Sequence, residues 1–205
     1  MIPFHTTGRV LLAALALVCA MATADAQQPV RIRGQVEKID AETMQVKARD
    51  GATYTAKIAD DARVAALVKA SLADIKEDTF LGIGGLPQPD GSVKAYSIHI
   101  FLPAQRGRIA DRTGPWDGMP GGSMTNAYVQ SIVAAKDGNT LSVKYKDGEK
   151  KILVTPETSI VAVAAGDKSE LKPGTPIFIL GGEKQTDGTI LVKALYFGRG
   201  VTPPM

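Results

Sequence analysis

Residues 44–58 read MQVKARDGATYTAKI, and this stretch decides the fold class. Apolar side chains occupy alternate positions on both sides of the Asp-Gly pair at positions 50 and 51. A period of two is typical of a strand with one buried face. Asp-Gly between two such runs is a strong hairpin signal, because glycine adopts the positive φ that tight turns require. The stretch therefore predicts an antiparallel hairpin whose inward positions are Met44, Val46, Ala48, Tyr54, Ala56 and Ile58.

The same pattern returns about 97 residues later, which indicates an internal duplication. Residues 141–154 read LSVKYKDGEKKILV and carry the same alternation and the same Asp-Gly turn, and Lys144 matches Lys47. Further matches follow at that offset or within two residues of it. They pair Asp40 with Asp137, Gly84-Gly85 with Gly181-Gly182, Asp90-Gly91 with Asp187-Gly188, Lys94-Ala95 with Lys193-Ala194, and Asp74-Ile75-Lys76 with Glu170-Leu171-Lys172.

Each copy has about 70 residues, a size at which a domain folds alone only with good packing. Apart from the hairpins, strands are expected at Val30–Ile39, Phe80–Gly85, Ala95–Phe101, Tyr128–Ala135, Pro176–Gly182 and Ile190–Phe197. The first copy also predicts a short helix from Asp61 to Leu72, since Val64, Leu67, Val68 and Leu72 share one helical face and Asp60 or Asp61 can cap it.

These elements predict an all-β protein of two tandem, small, OB-like five-stranded barrels, the first copy with a short helix. The expected division is a barrel-like domain at 27–102, a Gly/Pro-rich linker at 103–126 and a second barrel-like domain at 127–200. A looser β-sandwich is the alternative.

The N-terminus has the three parts of a secretory signal. Arg9 supplies the positive charge, Val10 to Ala22 form the apolar region, and Ala24-Asp25-Ala26 form a small-x-small cleavage site. About 13 apolar residues are too few to cross a bilayer, which needs roughly 20. Residues 1–26 are therefore predicted to be a signal peptide cleaved after Ala26, giving a periplasmic or secreted protein without a transmembrane span. A retained N-terminal anchor is the alternative.

Removal of that signal would also remove much reactive chemistry. Cys19 is the only cysteine, and His5 is one of only two histidines, so the mature chain would keep His99 alone. Disulfides, thiolate nucleophiles, cysteine-based metal sites and His-rich metal sites are then excluded. His99 itself, between Ile98 and Ile100 on a predicted strand, is expected to be a packed or surface residue. No cofactor and no catalytic residue are predicted.

The net charge is only +3, so the chain is mildly basic. Aromatic residues are scarce, at 5% of the sequence. This composition argues against nucleic acid as a partner. An envelope protein or an anionic envelope polymer remains as a partner class, with the latter meeting a shallow basic face. That face would be built from Lys47, Arg49, Lys57, Lys144, Lys146, Lys150 and Lys151.

Short motifs in both copies resemble a family of secreted bacterial β-domains known as domain of unknown function 5666. The resemblance rests on Gly34-Gln35-Val36, Asp147-Gly148, Thr155 to Thr158, Leu171-Lys172-Pro173-Gly174-Thr175, Asp187-Gly188 and Lys193-Ala194. The second copy fits better, since the first has Ile75-Lys76-Glu77-Asp78 where the family has Lys-Pro-Gly. The resemblance implies an envelope location and a small β-barrel, and it supplies no activity or catalytic residue.

The linker at 103–126 is the unusual segment and supplies the candidate binding residues. These are Trp116, Asp117, Met119, Met124, Arg106, Arg108 and Arg112. Three interpretations are open: Trp116 and Met119 pack between the domains, Trp116 and the arginines recognise a partner, or the methionines bind a soft metal such as Cu(I). The predicted function is a non-enzymatic binding or scaffold protein. Copper handling by the methionines and a hydrolase using carboxylates are the alternatives.

Overall fold

The computed structural model describes residues 29–135 and 138–204, and the predicted signal peptide lies outside these residues. The described chain is mainly β, with helical structure limited to three-residue 3-10 turns at Leu72–Asp74, Pro103–Gln105 and Lys168–Glu170. None of these turns has the length or hydropathy of a membrane-spanning helix. The strands are β1 Val30–Ile39, β2 Met44–Ala48, β3 Thr53–Lys69, β4 Phe80–Pro87, β5 Val93–Ile100, β6 Thr113–Pro115, β7 Ser123–Ala135, β8 Gly138–Tyr145, β9 Gly148–Val154, β10 Ser159–Ala165, β11 Pro176–Lys184 and β12 Ile190–Gly198.

Both predicted Asp-Gly hairpins are confirmed. β2 pairs with β3, Lys47 lying opposite Thr53, and β8 pairs with β9, Tyr145 lying opposite Gly148. Gly51 has φ 90°, a backbone conformation that glycine adopts without steric strain. In the first turn the Asp50 carboxylate accepts a hydrogen bond from the backbone N–H of Ala52.

Five strands close a barrel, here called the first ring, in the order β1-β2-β3-β12-β11 and back to β1. All neighbours are antiparallel except β3 and β12, which run parallel. The interior of the ring is apolar. Its buried side chains include Ile32, Val36, Met44, Val46, Ala56, Ile177, Ile179, Ile190, Val192 and Leu195.

The pairings of the remaining long strands form a second ring in the order β7-β8-β9-β5-β4 and back to β7. Its parallel seam, between β5 and β9, is short and consists of Val93 opposite Ile152 and Lys94 opposite Leu153. Its interior is packed with Leu81, Ile83, Val93, Ile98, Ala127, Val129, Leu141, Val143, Ile152 and Val154.

Each ring takes strands from both halves of the chain. The C-terminal hairpin β11-β12 completes the first ring, and the hairpin β4-β5 completes the second. The predicted division into a barrel at 27–102 and a barrel at 127–200 therefore does not describe the strand pairing. The two hairpins share the Gly-Gly pair and the Asp-Gly turn, so the local pattern does not specify which ring each hairpin completes.

The helix predicted from Asp61 to Leu72 is wrong, because β3 continues as a strand to Lys69. Ala66 and Leu67 are both fully buried, with Ala66 in the first ring and Leu67 on the opposite face of the strand. A strand covered on both faces shows a continuous apolar run instead of alternation. The helical spacing of these apolar residues is therefore coincidental. This part of β3 is hydrogen-bonded to β10 on one side and to β12 on the other.

A third apolar cluster, here called the inter-ring cluster, lies outside the two ring interiors. Its buried members come from strands of the first ring, from β10 and from the segment between β5 and β7, and the partly buried Met124 of β7 adds a side chain from the second ring. The buried members are Leu67, Trp116, Val161, Val163, Phe178 and Tyr196. This cluster packs the rings against each other.

Candidate functional site

Trp116 is buried in the inter-ring cluster, with 6% of its surface exposed. Its indole lies against Gly84 of β4, where an added Cβ would be 2.8 Å from Cη2 of the ring. Gly118 and Gly122 leave room for the same ring on the linker side, and the backbone N–H of Trp116 donates to the Gly122 carbonyl over 2.9 Å. Trp116 therefore packs between β4 and the linker segment within the inter-ring cluster.

Asp117 connects the same segment to the first ring. Its carboxylate accepts from Arg33 over 2.7 Å and from Arg31 over 3.4 Å, and the Arg33 guanidinium stacks over the Phe178 ring at 4.4 Å. Burial raises the pKa of Asp117, but the hydrogen bond from Arg33 and the charges of both arginines outweigh burial and hold this pKa below its usual range. The segment thus contacts β4 through Trp116 and β1 through Asp117.

The three linker arginines lie apart from the Trp116 side chain. Arg106 pairs with Asp78 over 2.7 Å and lies 5.4 Å from the centre of the Tyr128 ring. Arg108 and Arg112 are exposed, and the Arg112 carbonyl accepts from the backbone N–H of Asn126. The structure therefore places the arginines at the surface and the tryptophan inside, and partner recognition by these residues stays a prediction.

Met119 and Met124 are half-buried and pack at the inter-ring cluster. Met124 lies in β7 opposite Gly84, and the Met119 carbonyl accepts from the Gly122 N–H. In the described ranges, no group of three or more His, Cys, Asp or Glu side chains converges on a point where a metal ion could bind. Both thioethers are in contact with apolar side chains.

His99 is 1% exposed on the outer side of the second ring, between Gly82 of β4 and Val161 of β10. Its Nε2 is buried without a hydrogen-bond partner among the residues that the structure describes, and so is the hydroxyl of Ser97 two residues earlier. Burial lowers the pKa of His99 to about 4, since desolvation disfavours the charged imidazolium. His99 is therefore neutral at pH 7. It is packed within the protein, which is one of the two placements, packed or at the surface, that the sequence predicted.

Most carboxylates with shifted pKa values accept hydrogen bonds within turns. The pKa of Asp40 is lowered by the backbone N–H of Thr43, that of Asp90 by the Ser92 hydroxyl, and that of Asp187 by the backbone N–H of Thr189. A general acid at neutral pH requires a raised pKa. These three carboxylates are ionised hydrogen-bond acceptors that stabilise their turns.

A cleft of about 610 Å³ opens where the end of β3, the β9-β10 turn and the C-terminal segment meet. Its volume is in the range of small-molecule sites. The lining residues come from four separate stretches of the chain, so no linear sequence motif could predict the cleft. They are Lys69, Ala70, Ser71, Leu72, Gly138, Asn139, Val154, Thr155, Pro156, Thr158, Ser159, Ile160, Val161, Val201 and Thr202.

The β9-β10 turn that forms one wall is fixed by its threonines. The backbone N–H of Thr155 donates to the Thr158 hydroxyl over 3.0 Å, and that hydroxyl donates to the Ala95 carbonyl over 2.9 Å. The turn is thereby attached to β5 near the end of the short β5-β9 seam. On the opposite side, an Arg49 side-chain N–H donates to the Pro203 carbonyl and fastens the C-terminal segment to the first ring.

The cleft combines aliphatic walls with several polar side chains. Leu72 and Ile160 also pack against the interior of the second ring, and Val161 belongs to the inter-ring cluster. Lys69 is the only charged residue among those that line it. The cleft can therefore bind a ligand by apolar contact and hydrogen bonding, and its described lining contains no pair of titratable groups for acid–base chemistry.

Comparisons with protein-family models, curated proteins and solved structures give no match for this chain. Membership of the family that the motifs resemble therefore stays a prediction.

Proposed function

We propose that this protein is an exported, non-enzymatic binding module and that the cleft is its ligand site. The observation that carries the proposal is the concave lining itself, in which aliphatic walls converge with a few polar groups. Such a lining is typical of ligand sites, where apolar area supplies affinity and placed polar groups orient the ligand. The carboxylate-hydrolase alternative finds less support, because the turn carboxylates have lowered pKa values.

We also propose that the two rings derive from duplicated OB-like units that have exchanged their last hairpins. If β11 and β12 count as strands four and five of the first unit, its strands follow one another in the order 1-2-3-5-4. With β4 and β5 in that role, the second ring has the same order and the same parallel closing pair. The identical order supports a common origin and a Greek-key barrel of the OB type.

Export is part of the proposal and rests on the signal-like N-terminus. Cleavage after Ala26 predicts a mature protein that begins at Gln27 in the periplasm or the medium. Protein recovered from the fractionated host is expected to give that N-terminal sequence. A protein retained in the membrane fraction with residues 1–26 attached would contradict this.

A ligand screen by thermal shift tests the binding function. A ligand present at about 100 times its dissociation constant adds roughly 2.7 kcal/mol to the folded state. For a protein of this size the melting temperature would rise by roughly 5–10 °C. The screen covers metal ions, including Cu(I), envelope polysaccharides and amphiphiles.

Thr202→Trp is designed to fill the cleft, because Thr202 is an exposed lining residue near the chain terminus. Thr186→Trp, at an exposed position of the β11-β12 turn, is the matched control. A ligand whose stabilising effect is abolished by Thr202→Trp and kept by Thr186→Trp binds in the cleft. Hits that are equally strong in both variants would contradict the assignment of the site.

A further inference from the structure

We propose that the cleft takes an anionic amphiphile, an aliphatic chain that ends in one anionic head group. This inference rests on the proposed binding function and names the ligand class for the same site.

The walls select an aliphatic chain. The apolar lining residues are aliphatic: Leu72, Val154, Pro156, Ile160, Val161 and Val201. No aromatic ring is among the described lining residues, so the cleft offers no platform on which a sugar or a nucleobase could stack. Removal of aliphatic area from water stabilises a complex by about 25 cal/mol per Å², and these walls supply such area for a hydrocarbon chain.

The polar groups select an anionic head. Lys69 lies opposite Val161 in the β3-β10 ladder, and no carboxylate pairs with its ammonium group in the described part of the chain. Among the described residues, the side chains of Asn139, Ser159 and Thr202 also make no hydrogen bond, and all three can donate. One cation and three neutral donors without internal partners match the several acceptor oxygens of a carboxylate or phosphate.

The hairpin beside the rim carries exposed apolar side chains. β7 and β8 remain paired beyond Ile132 and Leu141 to Ala134 and Asn139, and Asn139 lines the cleft. Ile132 and Val133 are 37% and 57% exposed, and adjacent strand residues point to opposite faces. The hairpin therefore presents apolar surface on both faces next to the cleft. Such a surface suits contact with the lipid that an amphiphile comes from.

The first experiment compares three twelve-carbon probes on the protein beginning at Gln27 by isothermal titration calorimetry. The two ionic probes are kept below their critical micelle concentrations, and the uncharged alcohol is kept below its solubility limit. Dodecanoate is expected to bind saturably with one site, and dodecanol and dodecyltrimethylammonium to bind at least tenfold more weakly. Lys69→Met is expected to reduce dodecanoate affinity to the level of dodecanol, and Lys69→Arg to restore it. Lys57→Met, on the same strand and outside the cleft, is the matched control.

Equal binding of dodecanoate and dodecanol would overturn the inference, because the head group would then not be recognised. An unchanged dodecanoate affinity in Lys69→Met would also overturn it. Dodecanoate binding that survives Thr202→Trp would place the amphiphile outside the cleft. If another probe binds in a Thr202→Trp-sensitive way and dodecanoate does not bind, this inference fails and the binding function stands.

A second arm distinguishes free amphiphiles from membrane lipids as the source. Co-flotation with vesicles of phosphatidylglycerol and phosphatidylcholine is measured for the unaltered protein, for Val133→Ser and for Leu86→Ser. Leu86 is 42% exposed and does not line the cleft, so it is the matched control. Flotation lost only in Val133→Ser, with dodecanoate affinity kept, assigns the source to a bilayer. Dodecanoate binding without flotation assigns it to free amphiphile.

Discussion

Leu67 of β3 lies directly opposite Val163 of β10, and both side chains are buried in the inter-ring cluster. The pairing of β3 with β12 ends at this point, and β10 directly follows β9 of the second ring in the chain. The antiparallel ladder around this pair runs from Ala65 opposite Ala165 to Lys69 opposite Val161. It joins the two halves of the chain between the hairpins β11-β12 and β4-β5.

The exchange of hairpins predicts that the halves stay together without a covalent link. A site-specific protease sequence inserted after Gly107, an exposed glycine with φ 70°, allows the folded protein to be cut there. The pairings β1-β11, β3-β12, β3-β10, β4-β7 and β5-β9 all cross the cut. The cut protein is expected to elute as one species in size-exclusion chromatography and to separate into two fragments only in denaturant.

Elution of two separate fragments under native conditions would contradict the exchanged topology. A control cut inside an exposed turn of a single hairpin, at Gly188 between β11 and β12, should also leave one species. Denaturing electrophoresis confirms that each cut is complete, and separation after the Gly107 cut alone would show that the halves do not hold each other.

Trp116→Ala is expected to lower the free energy of unfolding by about 3–5 kcal/mol, the range found when large aromatic core residues are truncated. The indole is buried between β4 and the linker, so its loss leaves a cavity beside Gly84. Urea denaturation monitored by circular dichroism measures the change. Tyr96 lies 6.2 Å from the Trp116 ring and is 52% exposed, so Tyr96→Ala serves as the control with an expected loss below about 1 kcal/mol.

Gly84→Ala tests the same contact from the other side. The added Cβ would approach the indole to 2.8 Å, which forces the ring or the strand to shift. The substitution is expected to destabilise the protein more in the presence of Trp116 than in a Trp116→Leu background. Equal penalties in the two backgrounds would show that the indole does not rest on Gly84.

The hairpins and most strand positions could be predicted from the sequence because their signal is local. Val46 and Val143 alternate with polar neighbours, and the Asp-Gly turn fixes where each chain reversal occurs. The helix predicted around Leu67 was wrong because this part of β3 is buried on both faces. A short buried apolar run has no periodicity that distinguishes a strand from a helix.

The exchange and the cleft depend on relations that the linear pattern does not contain. Gly84-Gly85 and Gly181-Gly182 occupy equivalent places in their hairpins, so either hairpin has the features that either ring needs. Lys69 and Val161 both line the cleft although more than 90 residues separate them in the sequence. The β3-β10 ladder places them directly opposite each other. Burial of Trp116 is one of the alternatives that the sequence leaves open, because a single tryptophan in a Gly/Pro-rich linker commonly packs.

Asp117→Asn is expected to lower the free energy of unfolding by up to about 1 kcal/mol, the usual range for an ion pair in contact with solvent. Its partner Arg33 is largely buried and stays stacked on Phe178, which limits the loss. The contribution of Asp117 should shrink in 1 M NaCl, where charges are screened. Because the pKa of Asp117 is lowered in the fold, the contribution is present above the usual aspartate pKa and is lost as the pH falls through the folded value.

Asp78→Asn is the control for that experiment, because Asp78 also pairs with an arginine over 2.7 Å but is far more exposed. A smaller effect of Asp78→Asn, with a similar response to salt, is expected. An Asp117→Asn variant as stable as the parent at low salt would show that the link to β1 contributes nothing to the docking of the linker.

His99 is expected to make the protein sensitive to mild acid. The pKa of His99 is lowered by burial from 6.5 to about 4 in the folded protein. Between these values the unfolded chain binds the proton and the folded chain does not, so the free energy of unfolding falls as the pH falls. The stabilising contribution is complete above pH 6.5 and is lost by about pH 4, a total of about 3 kcal/mol.

His99→Leu removes this titration and keeps an apolar side chain of similar size between Gly82 and Val161. Urea denaturation of the parent and the variant at pH 7.5 and pH 4.5 measures the difference. The turn carboxylates titrate alike in both proteins, so their contribution cancels in the comparison. We expect the parent to lose about 2–3 kcal/mol more than His99→Leu between the two pH values. Equal losses would mean that His99 is protonated in the folded protein and that water reaches its side chain.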